Sequence, residues 1–475
     1  MSDENSPLVT VKWMREKYEL PLNVDEEPEA FKSQLFSLTG VPPSRQKLII
    51  KGKTIQNSWD GLQIAPGMVM MMMGSTQPLL PEIQVSTPGE QPSQGAQRVE
   101  QYMPAGLENC GNSCYMNSVL QAMHTVPEYR EVLERFQLSP NFQQKPRENL
   151  VHTMRASSRI IDHKPAGFMN TLEMLLSLHA VFPQFKEKMP NGMYQQQDAN
   201  ECFTGIMRVT LDELKRQEEG SEANIDRYFT GVYEITYTNT ENPEENPETA
   251  HEEFLQLSCY LGQDIRYMKT GLTSKMKETV TKFSQTLGKD AVYNKETLIE
   301  RLPGYLSIQF VRFFYKESAK SHVKILKDVQ FPLRLDVADM CTPRLQKAMA
   351  VHRDEFRQDD AKLAYDSQRR QAVDEADEKG IPLPYSFPDD HGSNNSGFYD
   401  LQAVITHKGR SAQAGHYVAW VRMAEDKWVK CDDDEVTPVH VEDVKKLSGG
   451  GDYHTAYVLL YGPRICHKFD HLLKK

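Results

Sequence analysis

A cysteine, a histidine and an aspartate in this chain are spaced so that folding could assemble them into an acyl-transfer site. The cysteine is Cys114, within GLENCGNSCYMNSVLQAM at 106–123. From Met116 the apolar residues recur at Val119, Leu120 and Met123, one face of a helix, which places Cys114 at or just before the first helical turn. The Gly/Asn/Ser segment ahead of it suits a turn and a cap. A helix start favours negative charge, and so favours a thiolate. Asn109 and Asn112 stand just upstream, where a side-chain amide could donate to a developing oxyanion. A cysteine at a helix start is, by itself, more often a small buried hydrophobe than a nucleophile. A distant partner has to decide.

That partner is His416, which opens the alternating strand GHYVAWVR at 415–422. A second strand, Lys427 to Cys431, runs into Asp432-Asp433-Asp434. A hairpin would bring Asp432, sixteen positions on, beside the imidazole. Thiol, base and a third group orienting the base are what thiol hydrolysis requires. Alone, the histidine reads as half-buried and satisfied, and the aspartates as a solvated turn. The three together outweigh those separate readings.

The elements that must position them belong to a chain of 475 residues, enough for one large domain plus a small one or for three medium ones. With 39% hydrophobic and 25% charged residues, most of it should fold. A formal net charge of -11 argues against nucleic acid as partner and suits a partner with a basic contact face. No run approaches the roughly 18 apolar residues that span a bilayer, so no membrane association is expected. The first residues lack a signal peptide's basic and apolar regions, and HLLKK is no lipidation motif. Seven scattered cysteines fit a reducing compartment, and no CxxC pair offers a structural zinc site. The reading is a cytoplasmic or nuclear monomer that needs no metal or other cofactor.

Residues 1–75 read as a small module. Val9, Val11 and Trp13 alternate as a strand, a charged turn over Arg15 to Lys17 leads to a second strand at Tyr18–Leu22, and Phe31, Leu35 and Leu38 recur at helical spacing. Gly40 stops that helix, and strands follow at Leu48–Ile50 and Met68–Met73. Strand, strand, helix, strand, strand is the order of a β-grasp domain. Residues 76–103, rich in Pro, Gln, Ser and Gly, read as a flexible linker, and 104–475 as one globular domain. Within it, 239–252 reads as an acidic loop and 346–379 as a solvated helical hairpin.

Five segments in order complete the pattern: the Cys box, YQQQDANECF at 194–203, RLPGYLSIQFVRFF at 301–314, the His box and AYVLLY at 456–461. Together they closely resemble the ubiquitin-specific proteases, over residues 104–463, while GVPPSRQKLIIKGK at 40–53 resembles ubiquitin itself. The resemblance implies an α+β chain: a ubiquitin-like β-grasp domain, then a papain-like protease domain with helical thumb, mixed palm and β-rich fingers. It implies a deubiquitinating cysteine protease that hydrolyses the isopeptide bond at ubiquitin's C-terminus, with Cys114 as nucleophile, His416 as general base, Asp432 orienting the imidazole and Asn109 as oxyanion donor.

By the same resemblance, Gln197 and Asp198 grip the arginine-rich ubiquitin tail, Asp198 otherwise being a helix cap. Tyr417 and the stretch around Phe331 line the cleft, with 409–415 and Phe331-Pro332 as loops that could gate it. Cys110 departs from the family's usual aliphatic residue; it reads as a small buried side chain, with a disulfide to Cys114 as the alternative. The first module reads Gly74-Ser75-Thr76 where conjugation needs Gly-Gly, so it should dock rather than be conjugated. Alternation turns Leu48 and Ile50 inward and leaves Ile49, Met70 and Met72 outward as a contact patch. The resemblance names the partner as the proteasome's regulatory particle, beside ubiquitin and ubiquitinated proteins, and implies ubiquitin recycling there. The rival readings are a mainly non-catalytic ubiquitin-binding regulator that delays proteasomal degradation, and a metal hydrolase. The metal hydrolase has no HExxH to support it.

Overall fold

The structure, a computed structural model, describes residues 7–73 except 14–15, 23, 25–27, 40, 42–45, 51–52, 56–58, 60–63 and 66, and residues 103–468 except 164–170, 191, 218–223, 263, 317–320, 366–380, 412–413, 425 and 452. The chain divides into two units, Met1–Ser93 and Gln94–Lys475. The expected boundary at 75/76 and all of the expected linker but Met103 fall outside the described residues.

In the first unit the alternating segments become β1 (Leu8–Trp13), β2 (Glu16–Pro21), β3 (Lys47–Ile50), β4 (Lys53–Thr54) and β5 (Val69–Met73), with α1 (Pro28–Thr39) between β2 and β3. The sheet order is β2-β1-β5-β3-β4, with β1 and β5 parallel at its centre, as a β-grasp requires. Phe31 and Leu35 of α1 cover the buried face, while Leu38 is exposed.

The register corrects the expected patch. Leu48 pairs with Met72 and Val11 with Met70, and cross-strand partners share a face, so both methionines are buried with them. Ile49, half-buried, pairs instead with Met71, which is 56% exposed. In a run of four methionines hydrophobicity cannot show which alternate faces out; only the pairing partner can.

The second unit begins with helices: α2 (Cys114–Met123), α3 (Pro127–Arg135), α4 (Pro146–His163), α5 (Leu172–Val181) and α6 (Ala199–Gln217). Every residue of α2 is buried, which an all-round enclosed helix requires. Next come strands β6 (Gly231–Asn239), β7 (Glu248–Phe254), β8 (Gln256–Tyr260), helix α7 (Met268–Thr273), β9 (Lys277–Ser284), β10 (Lys289–Arg301), β11 (Leu306–Val311), β12 (Phe313–Lys316), β13 (Ser321–Lys324) and β14 (Arg334–Asp336). The chain closes through α8 (Pro343–Tyr365), β15 (Ile381–Pro382), β16 (Phe398–Ser411), β17 (Ala414–Ala424), β18 (Lys427–Asp432), β19 (Glu435–His440), α9 (Val441–Lys445) and β20 (Thr455–Pro463).

Two sheets organise this unit. The large one runs β19-β18-β17-β16-β20-β11-β8, with β14 added to β16. Its central strands are buried on both faces: Tyr417, Ala419 and Val421 of β17 join the core under the helices, while Val418 and Trp420 join a second core behind the sheet. That is why AYVLLY reads as an unbroken apolar run.

The smaller sheet, β7-β6-β10-β9, is antiparallel and largely polar. At its tip Glu245 accepts from Asn239 Nδ2 and Ser284 Oγ, both at 2.8 Å, from Tyr293 Oη at 2.6 Å and from Thr286, so a carboxylate ties the two turns together. The stretch expected as a loop at 239–252 is correspondingly shorter, since 248–252 lies in β7. Nor is the charged stretch from 346 wholly solvated: Met349 and Phe356 of α8 are buried. The rest of that stretch, from 366 on, lies outside the described residues.

One buried charge locks this frame. Arg312 is 0% exposed, and its guanidinium donates to the carbonyls of Ala456 (2.7 Å), Ile325 (3.0 Å), Lys327 (2.9 Å) and Ser448 (2.8 Å). Burial lowers its pKa to about 10, still well above neutrality. Arg312→Met is expected to take this donor from all four carbonyls, of which that of Ser448 keeps the Val329 N–H, at about 1 kcal/mol or more for each one left unpaired. The urea midpoint of the second unit should fall clearly; an unchanged midpoint would show that the carbonyls find other donors.

Candidate active site

The loop ahead of α2 is wound around one side chain. Asn109 Oδ1 accepts from the backbone of Gly111 (3.0 Å) and Ser113 (3.1 Å), while Gly111 and Asn112 take positive φ of 92° and 58°. The winding delivers Cys114 as the first residue of α2, 2% exposed, with its thiol at the positive end of the helix.

His416 and Asp432 come from neighbouring strands. The register Ala419↔Cys431 sets Asp432 beside Val418, two positions from His416 on the same face. His416 Nε2 lies 2.5 Å from Asp432 Oδ1, and Lys430 Nζ holds Oδ2 at 2.6 Å. With Nε2 engaged, Nδ1 is the nitrogen left for the Cys114 thiol. The hydrogen bond to Asp432 first, then that to Cys114, raises the His416 pKa to about 10. Burial alone would lift the Asp432 carboxyl; His416 and Lys430 outweigh it and hold it below the usual carboxylate range. The imidazolium contribution is therefore complete below its ordinary value of 6.5 and lost as pH rises through about 10. The Asp432 contribution is present above its ordinary 3.8 and lost on acidification.

A second acid, which the sequence did not single out, docks the two halves. Asp433, at φ 53°, accepts from Asn109 Nδ2 (2.8 Å) and Asn117 Nδ2 (2.9 Å), and its carbonyl accepts from Leu107 N (2.8 Å). Burial raises its pKa, and His416 Nε2 lies 3.9 Å away. A Cβ on Gly106 would stand 2.2 Å from the Asp434 carbonyl, so the backbones meet directly there.

The remaining expected residues divide. Asn109 is at the site, with one amide hydrogen committed to Asp433. Asp198 performs the capping role: Oδ1 accepts from Asn200 N (2.7 Å) and Glu201 N (3.0 Å) at the start of α6, and Oδ2 accepts from Tyr457 Oη at 2.7 Å. Gln197 Nε2 donates within its own segment, to the Gln195 carbonyl at 3.2 Å. Tyr417, 1% exposed, packs with His407 and Tyr457, ring centroids 4.7 and 6.2 Å away.

Phe331 is not brought to this cleft: it is 8% exposed in the core behind the sheet, with its ring 6.4 Å from Phe310. The expected gate at 409–415 is the end of the β16–β17 hairpin, where Ser411 pairs with Ala414; 412–413 lie outside the described residues. All seven cysteines are free, and Cys110 Sγ lies 3.5 Å from Thr171 Oγ1. His407, Gln196 and Lys430 also belong to the site without having been singled out: His407 and Gln196 act across a strand or across the cleft, whereas Lys430 reaches Asp432 from two positions earlier on the same strand.

The sequence pattern of the ubiquitin carboxyl-terminal hydrolases matches residues 105–461, and that of the ubiquitin family matches residues 9–77. The chain belongs to the ubiquitin carboxyl-terminal hydrolase family. Ubiquitin carboxyl-terminal hydrolase 14 of Caenorhabditis elegans is 40% identical over 98% of this chain and 95% of its own length. Ubiquitin carboxyl-terminal hydrolase 6 of Arabidopsis thaliana is 34% identical over 97% and 99%. The fold matches a solved SAGA deubiquitinating module containing Ubp8, bound to ubiquitin aldehyde, at TM-score 0.54 and 19% identity, over 76% of this chain and 69% of that one. This ubiquitin carboxyl-terminal hydrolase is a thiol-dependent deubiquitinase carrying a ubiquitin-like domain.

Proposed function

We propose that Cys114, His416 and Asp432 hydrolyse the isopeptide bond between ubiquitin's C-terminal glycine and a lysine. The observation that carries this is the imidazole set between Cys114 and Asp432, its Nε2 2.5 Å from the carboxylate. The thiolate adds to the glycine carbonyl, and the oxyanion takes a hydrogen bond from Asn109, whose second amide hydrogen is not committed to Asp433. His416 gives its proton to the leaving lysine amine, then accepts one from the water that releases the acyl-enzyme. Asp432 keeps the ring oriented throughout. Gln197 and Asp198 line the path of the ubiquitin tail, where a carboxylate suits its arginines, and Tyr417, buried against His407 and Tyr457, backs it.

The test is hydrolysis of a ubiquitin C-terminal fluorogenic amide, together with capture by a ubiquitin bearing a C-terminal alkyne. Peptide mapping of the captured enzyme should place the adduct on Cys114. An adduct on another cysteine would overturn the assignment.

The ubiquitin-like unit serves as the docking element for the proteasome's regulatory particle, where the enzyme recycles ubiquitin in cytoplasm and nucleus as a monomer. Its support is the outer sheet face, where Leu8, Val69 and Met71 are 56%, 49% and 56% exposed beside Ile49. Met71→Asp is expected to weaken co-sedimentation with proteasomes by about tenfold or more while leaving hydrolysis by the free enzyme unchanged. Undiminished co-sedimentation would remove this face from the reading.

A further inference from the structure

His416 sits beside a break in its own sheet. The β16–β17 ladder pairs Lys408 with His416 and then Ser411 with Ala414, so Gly415 falls at an irregularity and has no cross-strand partner. A Cβ at Gly415 would lie 2.3 Å from the Lys408 carbonyl and 2.4 Å from His407 Nε2, which leaves room for glycine alone. Its N–H leaves the sheet altogether and donates across the cleft to Gln196 Oε1 at 3.1 Å.

Gln196 belongs to a segment that reaches every part of the site through alternate residues. The Tyr194 carbonyl accepts from Asn112 Nδ2 at 2.9 Å, two positions ahead of Cys114. The Asp198 carboxylate takes the Tyr457 hydroxyl. Gln196 lies between them, 7% exposed, with its Nε2 making no hydrogen bond, so the side chain is held in place without being fully used.

We propose that Gln196 is a positioning residue whose side-chain oxygen replaces the missing ladder bond at Gly415 and sets His416 in register with Cys114. The inference rests on Cys114 and His416 being the reacting pair. Because Asn112 and Gly415 are anchored two residues apart on one strip of backbone, thiol and imidazole share a single reference.

The test needs no ubiquitin. Alkylation of Cys114 by iodoacetamide, followed by peptide mass, is measured for wild type, Gln196→Met, Gln196→Glu and His416→Ala. Gln196→Met keeps the volume but loses the acceptor, and its alkylation at about pH 6 should slow about tenfold toward that of His416→Ala, while rates at about pH 9 converge. Gln196→Ala carries the same expectation if methionine disturbs the packing. Gln196→Glu keeps an accepting oxygen and should stay within about twofold of wild type.

Wild-type alkylation in Gln196→Met, with only the KM for a ubiquitin amide raised, would overturn the inference and make Gln196 a substrate contact. Unchanged alkylation in His416→Ala would instead overturn the pairing itself, and the inference with it.

Discussion

Cys114→Ala is expected to leave no measurable hydrolysis of a ubiquitin C-terminal amide while ubiquitin still binds. The substitution removes one sulfur from a site that is 2% exposed and already lined by α2, so little repacking is required. What it removes chemically cannot be replaced. No other described cysteine has His416 beside it: Cys110 faces Thr171, and Cys202, Cys259, Cys341 and Cys431 are buried with their thiols pushed up by burial. Loss of the nucleophile should therefore cost about 10⁴-fold or more, whereas loss of an oxyanion donor costs about 10²–10³. Calorimetry with ubiquitin checks the binding half. Residual turnover that tracks with the purified variant would mean that attack does not come from Cys114.

Asp432→Asn is the second large effect, and it is directional in pH. The carboxylate is the foremost reason that His416 holds its proton up to about 10. An amide in its place can accept one hydrogen bond, but it also presents N–H groups to the ring and carries no charge, so the proton is lost at lower pH. Turnover should fall about 10³–10⁴-fold, with the alkaline limb of the pH profile moving down. Asp433→Asn should cost much less. Its carboxylate accepts from Asn109 and Asn117 and stands 3.9 Å from the imidazole nitrogen that Asp432 approaches to 2.5 Å. Equal losses in the two variants would mean that the acids share the orienting role.

The difference between those acids marks where the sequence stops being legible. Cys114 is readable because helical spacing after Met116 locates the start of α2, and His416 because strict alternation locates β17. In Asp432-Asp433-Asp434 nothing local separates the carboxylate that meets the imidazole from the one that docks the loop; the positive φ of Asp433 does so, and only in the folded turn. The same limit produces the inverted reading of Met70 and Met72, where side-chain chemistry is uniform and strand register alone assigns the faces. Phe331 is misplaced for a further reason. A Phe-Pro pair between strands looks like an exposed loop, yet this phenylalanine turns into the core behind the sheet. Hydrogen bonds across the cleft, such as Gly415 to Gln196, have no signature in sequence because their partners lie on separate elements.

The order of strands in the large sheet also bears on when this protease can begin to act. β20, the sheet's last strand to leave the ribosome, does not sit at an edge but between β16 and β11, and Arg312 is fastened to its Ala456 carbonyl. A nascent chain that has already exposed Cys114, His416 and Asp432 still lacks the strand that joins the two halves of the palm. The complete sheet therefore closes only after that strand has been made. A chain terminated shortly before Thr455 would keep every one of those groups but lack the strand on which β16 and β11 both pair.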